Sequence, residues 1–489
     1  MPIDWNAWSP GAFTRARHER KPVLLSLSAI WSVCSRQMDE TSYADERVVA
    51  LVRDAFVPVR VDADRRPDIA ERYTLGGLPT TAFLTPDGAL MGGGTFAPPE
   101  RLAVVLSQAA AAFAAGAHER PAELAPSPGA TSSAAGPMPD PGELETIVEA
   151  SFDPIYGGFG GEPRFPLTAP LELALERCRG TADPAQRVML ERTLDAMGWS
   201  RLHDELDGGF FRVSVTRDWQ TPQHEKLLET NAALLGVYAE AADVLRVARY
   251  AERAQDVLRY VQTSLADHVD GGWAASQASS PAADDPAPAG ARGGVMPGPV
   301  DRVLYTDANA AMASAALRAA RVFDDPGLAG FAVRSLERVV LATYLPGQGV
   351  AHWFDDVEPG PRGLLTDQLA MASAHLDAYE STGDIVYEMM AEELAHYMLR
   401  TLWDAAAGGF FDRTQIHDEE AIGLLGQRLK PFVANCEAAR LLSRLAVTSR
   451  NDEFAARAEA VLHFAGPLAR AHGPLAAHYL LALRHVPIR

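Results

Sequence analysis

Apolar positions divide the chain into two unlike parts. In the first 115 residues they come in short runs. Val23–Ser28 (VLLSLS) predicts a buried strand, and Phe56–Val61 (FVPVRV) a second one with alternating character. Between them Tyr43–Asp54 has helical spacing, with Val48, Val49, Leu51 and Val52 among its apolar positions. Pro67–Tyr73 predicts a short helix. GGLPTTAFLTPDGALMGGGTF then reads as turn, strand, Pro-Asp-Gly turn and strand, and Pro98–Ala115 as a closing helix.

From residue 142 the period changes to that of helices. Runs are predicted near 142–151, 168–178, 184–200, 227–243, 247–266, 307–321, 326–343, 366–380, 384–402, 434–448, 452–465 and 474–484. The fifth carries Ala254, Val257, Leu258, Val261 and Leu265 on one face. Gly-rich turns recur at Gly157-Gly158-Phe159, Gly208-Gly209-Phe210, Gly271-Gly272-Trp273, Gly347-Gln348-Gly349 and Gly408-Gly409-Phe410. Each follows a helix, where Gly takes the left-handed conformation that closes the last turn. Thr168, Thr306-Asp307, Thr366-Asp367 and Asn435 stand where the next helices begin and are expected as N-caps. Every second helix is richer in Ala and Leu and poorer in charge. Twelve helices in six pairs, with alternate members suited to an inner ring, predict an (α/α)6 barrel.

Pro121–Pro141, dense in Pro, Ala, Gly and Ser, cannot bury enough apolar surface to order itself. The expected division is 1–117 for the α/β domain, 118–141 for a tether and 142–489 for the barrel. Ser276–Pro299 has the same composition and is expected as a surface loop. A formal charge of −20, spread along the chain, argues against nucleic acid or an anionic membrane as partner. No apolar run is long enough to span a bilayer, and MPIDWNAWSPGAF lacks the features of a signal peptide. Cys34, Cys178 and Cys436 are far apart and odd in number. That fits a reduced, cytoplasmic protein.

The strand and helix order β-α-β-α-β-β-α is that of a thioredoxin-like domain. WSVCSRQM stands where thioredoxins carry their redox motif, and GGLPTTAF where they carry the cis-proline, here Pro79. With VDADRRPDIAERY and FLTPDG, these segments resemble a family of thioredoxin-like fusion proteins. It includes the YyaL-type and the spermatogenesis-associated thioredoxin-like proteins. The second part resembles the same family through GGFGGEPRFP, GGFFRVSVTRDW, PQHEKLLETNAALL and GLLTDQLAMASAHLDAYESTGD. Its barrel is similar to those of six-hairpin glycosidases and N-acylglucosamine 2-epimerases. The resemblance implies a multi-domain chain, a thioredoxin-like domain followed by an (α/α)6 barrel. In the family pattern Ser32 and Ser35 occupy the two cysteine positions, and Cys34 lies between them, out of register. Thiol–disulfide exchange needs an attacking thiolate and a resolving thiol, which serine does not supply. Redox activity is therefore expected to be lost, with Cys34 left as a lone thiol or a buried filler.

Candidate chemistry concentrates in Gly208–Asn231. Only three lysines occur in the chain, and one of them, Lys226, adjoins His224 and Glu225. Glu225 and His224 are the expected acid–base pair, against the alternative of a helix-start carboxylate and a surface histidine. Arg212, Trp219, Lys226, Asn231 and Asp367 are the expected sugar-binding residues. Their structural alternatives are core packing for Trp219, an ion pair for Lys226 and backbone capping for Asn231; Asp307 and Asp367 are candidate inner-mouth acids, against the alternative of helix-start residues. His224 departs from the family pattern, which has an aromatic there; Gln223 and Phe211 stand where histidines are usual. Sugar epimerases of this barrel type use inner-helix histidines, which directs notice to His375 and His478, though no local motif marks them. No metal-ligand spacing is present, and GGFGGEP lacks the strand–turn–helix setting of a dinucleotide site. No cofactor is expected. The expected partner is a sugar-like small molecule, the alternative a non-catalytic binding or scaffold role.

Overall fold

The structure is a computed structural model describing residues 2–116, 137–181, 183–279, 298–416 and 419–485. Two compact units emerge, one built on the N-terminal region and one on the helical region. Residues 118–136 of the expected tether lie outside the described residues, as do 280–297 of the second Pro/Ala/Gly-rich stretch. The ends of that stretch pair with each other, Ser276 with Asp301 and Gln277 with Val300. Among the described residues, no helix is long and apolar enough to cross a membrane.

The first unit comprises β1 (Asn6–Ala7), α1 (Pro10–Glu19), β2 (Val23–Ser28), α2 (Val33–Glu40), α3 (Glu46–Ala55), β3 (Val57–Asp62), α4 (Pro67–Tyr73), β4 (Thr80–Leu84), β5 (Leu90–Gly94) and α5 (Pro99–Ala114). Its sheet runs β1-β3-β2-β4-β5, with β2 parallel to β3 and antiparallel to β4. This is the thioredoxin-like order, preceded by β1 and α1. Alternate residues of β2 go to opposite cores: Val23, Leu25 and Leu27 to one, Leu24 to the other. The Leu78–Pro79 bond is cis. In the WSVCSRQM segment Ser32 is the N-cap of α2, accepting from the Ser35 N–H at 3.2 Å. Cys34 lies in the first turn of α2, partly buried.

One segment departs from the expected division. Residues 413–429 were placed in the barrel by sequence, yet they cluster with the first unit. Leu425, 1% exposed, joins the core beneath β2 and β3, with Ile416, Ile422 and Leu424 against it. The Arg72 guanidinium donates to the carbonyls of Leu424 and Gln427 at 3.1 and 2.6 Å. The Leu424 N–H donates to the Tyr73 hydroxyl, which itself donates to the Gly88 carbonyl.

The second unit holds twelve α-helices among its described residues: α6 (Pro141–Ala150), α7 (Ala169–Thr181), α8 (Pro184–Gly198), α9 (Leu228–Leu245), α10 (Ala248–Tyr260), α11 (Thr306–Phe323), α12 (Pro326–Thr343), α13 (Leu365–Thr382), α14 (Ile385–Thr401), α15 (Phe432–Thr448), α16 (Asp452–Ala465) and α17 (Ala476–His485). Each predicted run has a counterpart. Helix α7 packs on α9, α9 on α11, α11 on α13, α13 on α15, α15 on α17, and α17 back on α7. The other six pack outside, α6 on α17 and each later one on the inner helix before it. A six-helix ring closes, as the alternation of Ala/Leu-rich helices predicts.

The two rings begin differently. Outer helices α6, α8, α12, α14 and α16 are capped by the side chains of Asp140, Asp183, Asp325, Asp384 and Asn451. Inner helices α9, α11, α13 and α15 follow Leu227, Tyr305, Leu364 and Pro431, with no side-chain cap. The expectation that Thr306-Asp307, Thr366-Asp367 and Asn435 are N-caps is thus corrected: each of these residues lies inside its helix.

Candidate functional site

The stretch Gly208–Asn231 is one copy of a device that recurs between successive hairpins. A Gly-Gly-aromatic turn leaves peptide groups without a strand partner, and a buried amide on the next inner helix satisfies them. The Asn231 carboxamide accepts from the Phe210 N–H at 2.8 Å and donates to the carbonyls of Phe210 and Leu227. Asn309 holds Trp273 and Tyr305 in the same way, and Asn435 holds Phe410 and Pro431. Gln368 does so for Val350 and Leu364. Beneath the turn an aspartate meets a buried cation. Lys226 pairs with Asp204 at 2.9 Å, donates to the Gly208 carbonyl at 2.7 Å and lies 4.2 Å over the Tyr260 ring. Lys430 repeats this with Asp404, the Gly408 carbonyl and Phe464. Arg164 with Asp153 and Arg338 with Asp267 are variants. Glycine is required at 209: φ is 75°, and a Cβ would stand 2.5 Å from the Tyr260 ring.

Two expected sugar-binding residues are therefore committed to the turn. Lys226 is 3% exposed and Asn231 fully buried. A third, Trp219, is 1% exposed rather than an open platform. Its indole donates to the Tyr156 carbonyl at 3.0 Å, and its ring fills the space over Gly158. All three take the structural alternative. Glu225 is buried and accepts from the Arg212 guanidinium at 2.8 Å, while Arg212 also donates to Gln223 at 2.6 Å. His224 is half-buried, its ring edge-on to Phe211 at 5.0 Å. His375 is buried on α13, donating from Nδ1 to the Met371 carbonyl, and burial pushes its pKa down.

The starts of the inner helices assemble a set of ionisable groups that local motifs do not reveal. Glu229 stands at the second position of α9, Asp307 at the second of α11 and Asp367 at the third of α13. Glu229 is exposed as a residue, yet the protein around the mouth desolvates its carboxyl. That desolvation raises its pKa; Asp307 adds to the rise and Arg212 opposes it. Asp367 is fully buried and accepts from His352 Nδ1 at 2.8 Å. Burial pushes its pKa up to about 6; His352 opposes the rise and Asp307 adds to it.

Further along the barrel, Glu437 and Arg440 of α15 meet His478 of α17 and Glu172 of α7. The Arg440–Glu172 pair joins helices separated by α17 in the ring, so it crosses the interior. Arg440 and His478 hold the Glu437 carboxyl down at about 2 against a strong burial effect. The interior is thus charged and partly solvated at the inner-helix starts.

Glu229, His352, Glu437, Arg440 and Glu172 were not singled out by the sequence. A signal for Glu229 exists: Glu229-Thr-Asn231 and Asp307-Ala-Asn309 place an acid two residues before the clamp asparagine.

Residues 1–116 match the family described as Thioredox_DsbH, protein of unknown function, DUF255. Spermatogenesis-associated protein 20 of Homo sapiens is 30% identical over 312 residues, covering 57% of this chain and 39% of that protein. The resemblance to the thioredoxin-like fusion family holds. An uncharacterized Caenorhabditis elegans protein is 28% identical over 313 residues, covering 56% of this chain and 41% of that one. The chain thus spans about two-fifths of the length of the curated relatives it matches. Among solved structures, a cellobiose 2-epimerase from Bacillus thermoamylovorans has a TM-score of 0.52 at 11% identity, covering 66% of this chain and 85% of that one. A family 76 glycoside hydrolase (mannosidase) from Bacteroides thetaiotaomicron has a TM-score of 0.52 at 10% identity, covering 71% and 97%. At these identities the likeness shows the fold, an (α/α)6 barrel.

Proposed function

We propose that the barrel is carbohydrate-active and performs proton transfer on a sugar at the mouth where its inner helices begin. The observation that carries this reading is the convergence there of ionisable side chains from different inner helices, with Glu229 open to solvent and Arg212 beside it. Proteins that share this barrel include a cellobiose 2-epimerase and a mannosidase. In this reading Glu229 transfers the proton, its raised pKa making it a stronger base than an ordinary carboxylate. The Arg212–Glu225 pair and His224 orient hydroxyl groups. Inner-helix starts without side-chain caps add the positive ends of the helix dipoles. Epimerisation or isomerisation takes precedence over hydrolysis. For the first unit we propose a non-redox role: Ser32 serves as a helix cap, and WSVCSRQM holds a single cysteine, Cys34.

Calorimetric titration of the full chain with aldoses, N-acylhexosamines and disaccharides tests the binding. Saturable heat with at least one class is expected, weakened about tenfold or more in Glu229→Gln, the scale of one lost hydrogen bond to a charged group. No saturable heat across the panel would move the barrel to a scaffold role.

A further inference from the structure

We propose that Asp307, His352 and Asp367 form a binding site for a divalent first-row transition metal ion. The three residues come from separate places in the chain, the second position of α11, the loop after α12 and the third position of α13. Each offers one ligand atom, and the three atoms lie within 4.8 Å of one another. An ion about 2.1 Å from each donor requires only a modest adjustment of that triangle, and where His352 ligates through Nδ1 the proton it now shares with Asp367 is released. Asp307, half-buried at a helix start, has the freedom to supply it.

The second observation concerns Asp367. Its side chain is fully buried, and its Oδ2 has no close hydrogen-bond partner, although the Asp307 backbone N–H faces the carboxyl. A buried carboxylate is kept in proteins when it is paired, fully hydrogen-bonded or coordinated to a metal. Among the described residues neither Asp307 nor Asp367 has an ion pair with lysine or arginine, while Asp404, Asp204 and Asp153 elsewhere in the barrel each have one. The Asp307 carboxylate accepts from the Ala308 N–H, which leaves it acceptor capacity toward the cluster. Two carboxylates thus face each other with one imidazole between them and their neighbours. A divalent cation balances that set.

The donors indicate the ion. One imidazole and two carboxylates suit zinc, manganese or iron better than calcium, which takes six to eight oxygens. Three protein donors leave a coordination position open for water or a ligand oxygen. The inference goes beyond the sugar reading and does not need it, since metal binding is measured without any sugar.

The test uses the tag-free full chain after chelator treatment, titrated with Co²⁺ followed by visible d–d absorption and with Zn²⁺ followed by calorimetry. One ion per chain is expected, with absorption typical of mixed nitrogen and oxygen donors. Asp307→Asn and His352→Gln are each expected to weaken binding by about tenfold or more, as loss of a ligand or its support does. Far-UV circular dichroism of both metal-free variants verifies that they are folded. If the unmodified chain takes up no stoichiometric ion, or if folded variants bind as tightly as it does, the proposal is overturned.

Discussion

His203 sits against Arg253, whose guanidinium lies 2.8 Å from one ring nitrogen and 2.9 Å from the other. Burial first, then the charge of Arg253, push its pKa down to about 4. The unfolded chain binds the proton more readily, at an ordinary pKa near 6.5. This residue's contribution to stability is therefore complete above about pH 6.5 and lost as pH falls toward 4. A depression of that size corresponds to roughly 3 kcal/mol over that window. Urea unfolding from pH 4.5 to 7.5 is expected to show the slope in the unmodified chain and a flatter profile in His203→Gln. Equal slopes would refute the assignment. Asn231 and Asn435 make a second prediction at this scale. Replacing either with alanine strands two peptide groups of a buried turn, at a cost of about 2 kcal/mol. The two losses should match, because both residues serve the same device. A loss of sugar chemistry without a loss of stability in Asn231→Ala would return that residue to the site.

Leu425 belongs by sequence to the barrel region and by packing to the first unit. Leu425→Ala is expected to cost about 2–5 kcal/mol, the usual range for a buried leucine. Amide hydrogen exchange should show the loss in β2 and β3. Unchanged protection there would contradict the packing. The elements themselves were legible. Val23–Ser28 and Pro67–Tyr73 have the predicted boundaries, and each of the twelve helical runs has its helix. Hydrophobic period fixes such elements because each buries one face. The N-terminal β1 was missed because two residues carry no period. The insertion of 413–429 was missed because its apolar residues pair with a sheet distant in sequence. The expectation for Lys226 and Asn231 meets a related difficulty. Read alone, a buried cation and amide beside His224-Glu225 look like chemistry. Only the second copy, Lys430 and Asn435, shows them to be framework. The Asp307–His352–Asp367 cluster was invisible because its spacings of 45 and 15 residues carry no local signature.

Across the whole molecule, a closed ring of inner helices gathers carboxylates at the ends where those helices begin. Five of the six outer helices satisfy their starts with aspartate or asparagine caps, whereas α10 and four inner ones do not. Charge inside the ring is balanced in depth by Arg440 and His478 against Glu437 and Glu172. Toward the mouth, desolvation and then the neighbouring Asp307 raise the cost of ionising Glu229 instead. In the proposed reading, that asymmetry sets an acid–base centre at the mouth of the barrel.

Proton NMR in deuterated buffer measures the chemistry most directly. The full chain, Glu229→Gln and Glu225→Gln would each be incubated with aldoses, N-acylhexosamines and disaccharides. The account predicts loss of a C2 proton signal for one sugar class with the unmodified chain, and its retention with Glu229→Gln. Unchanged spectra with every sugar, or exchange that persists in Glu229→Gln at the unmodified rate, would contradict it.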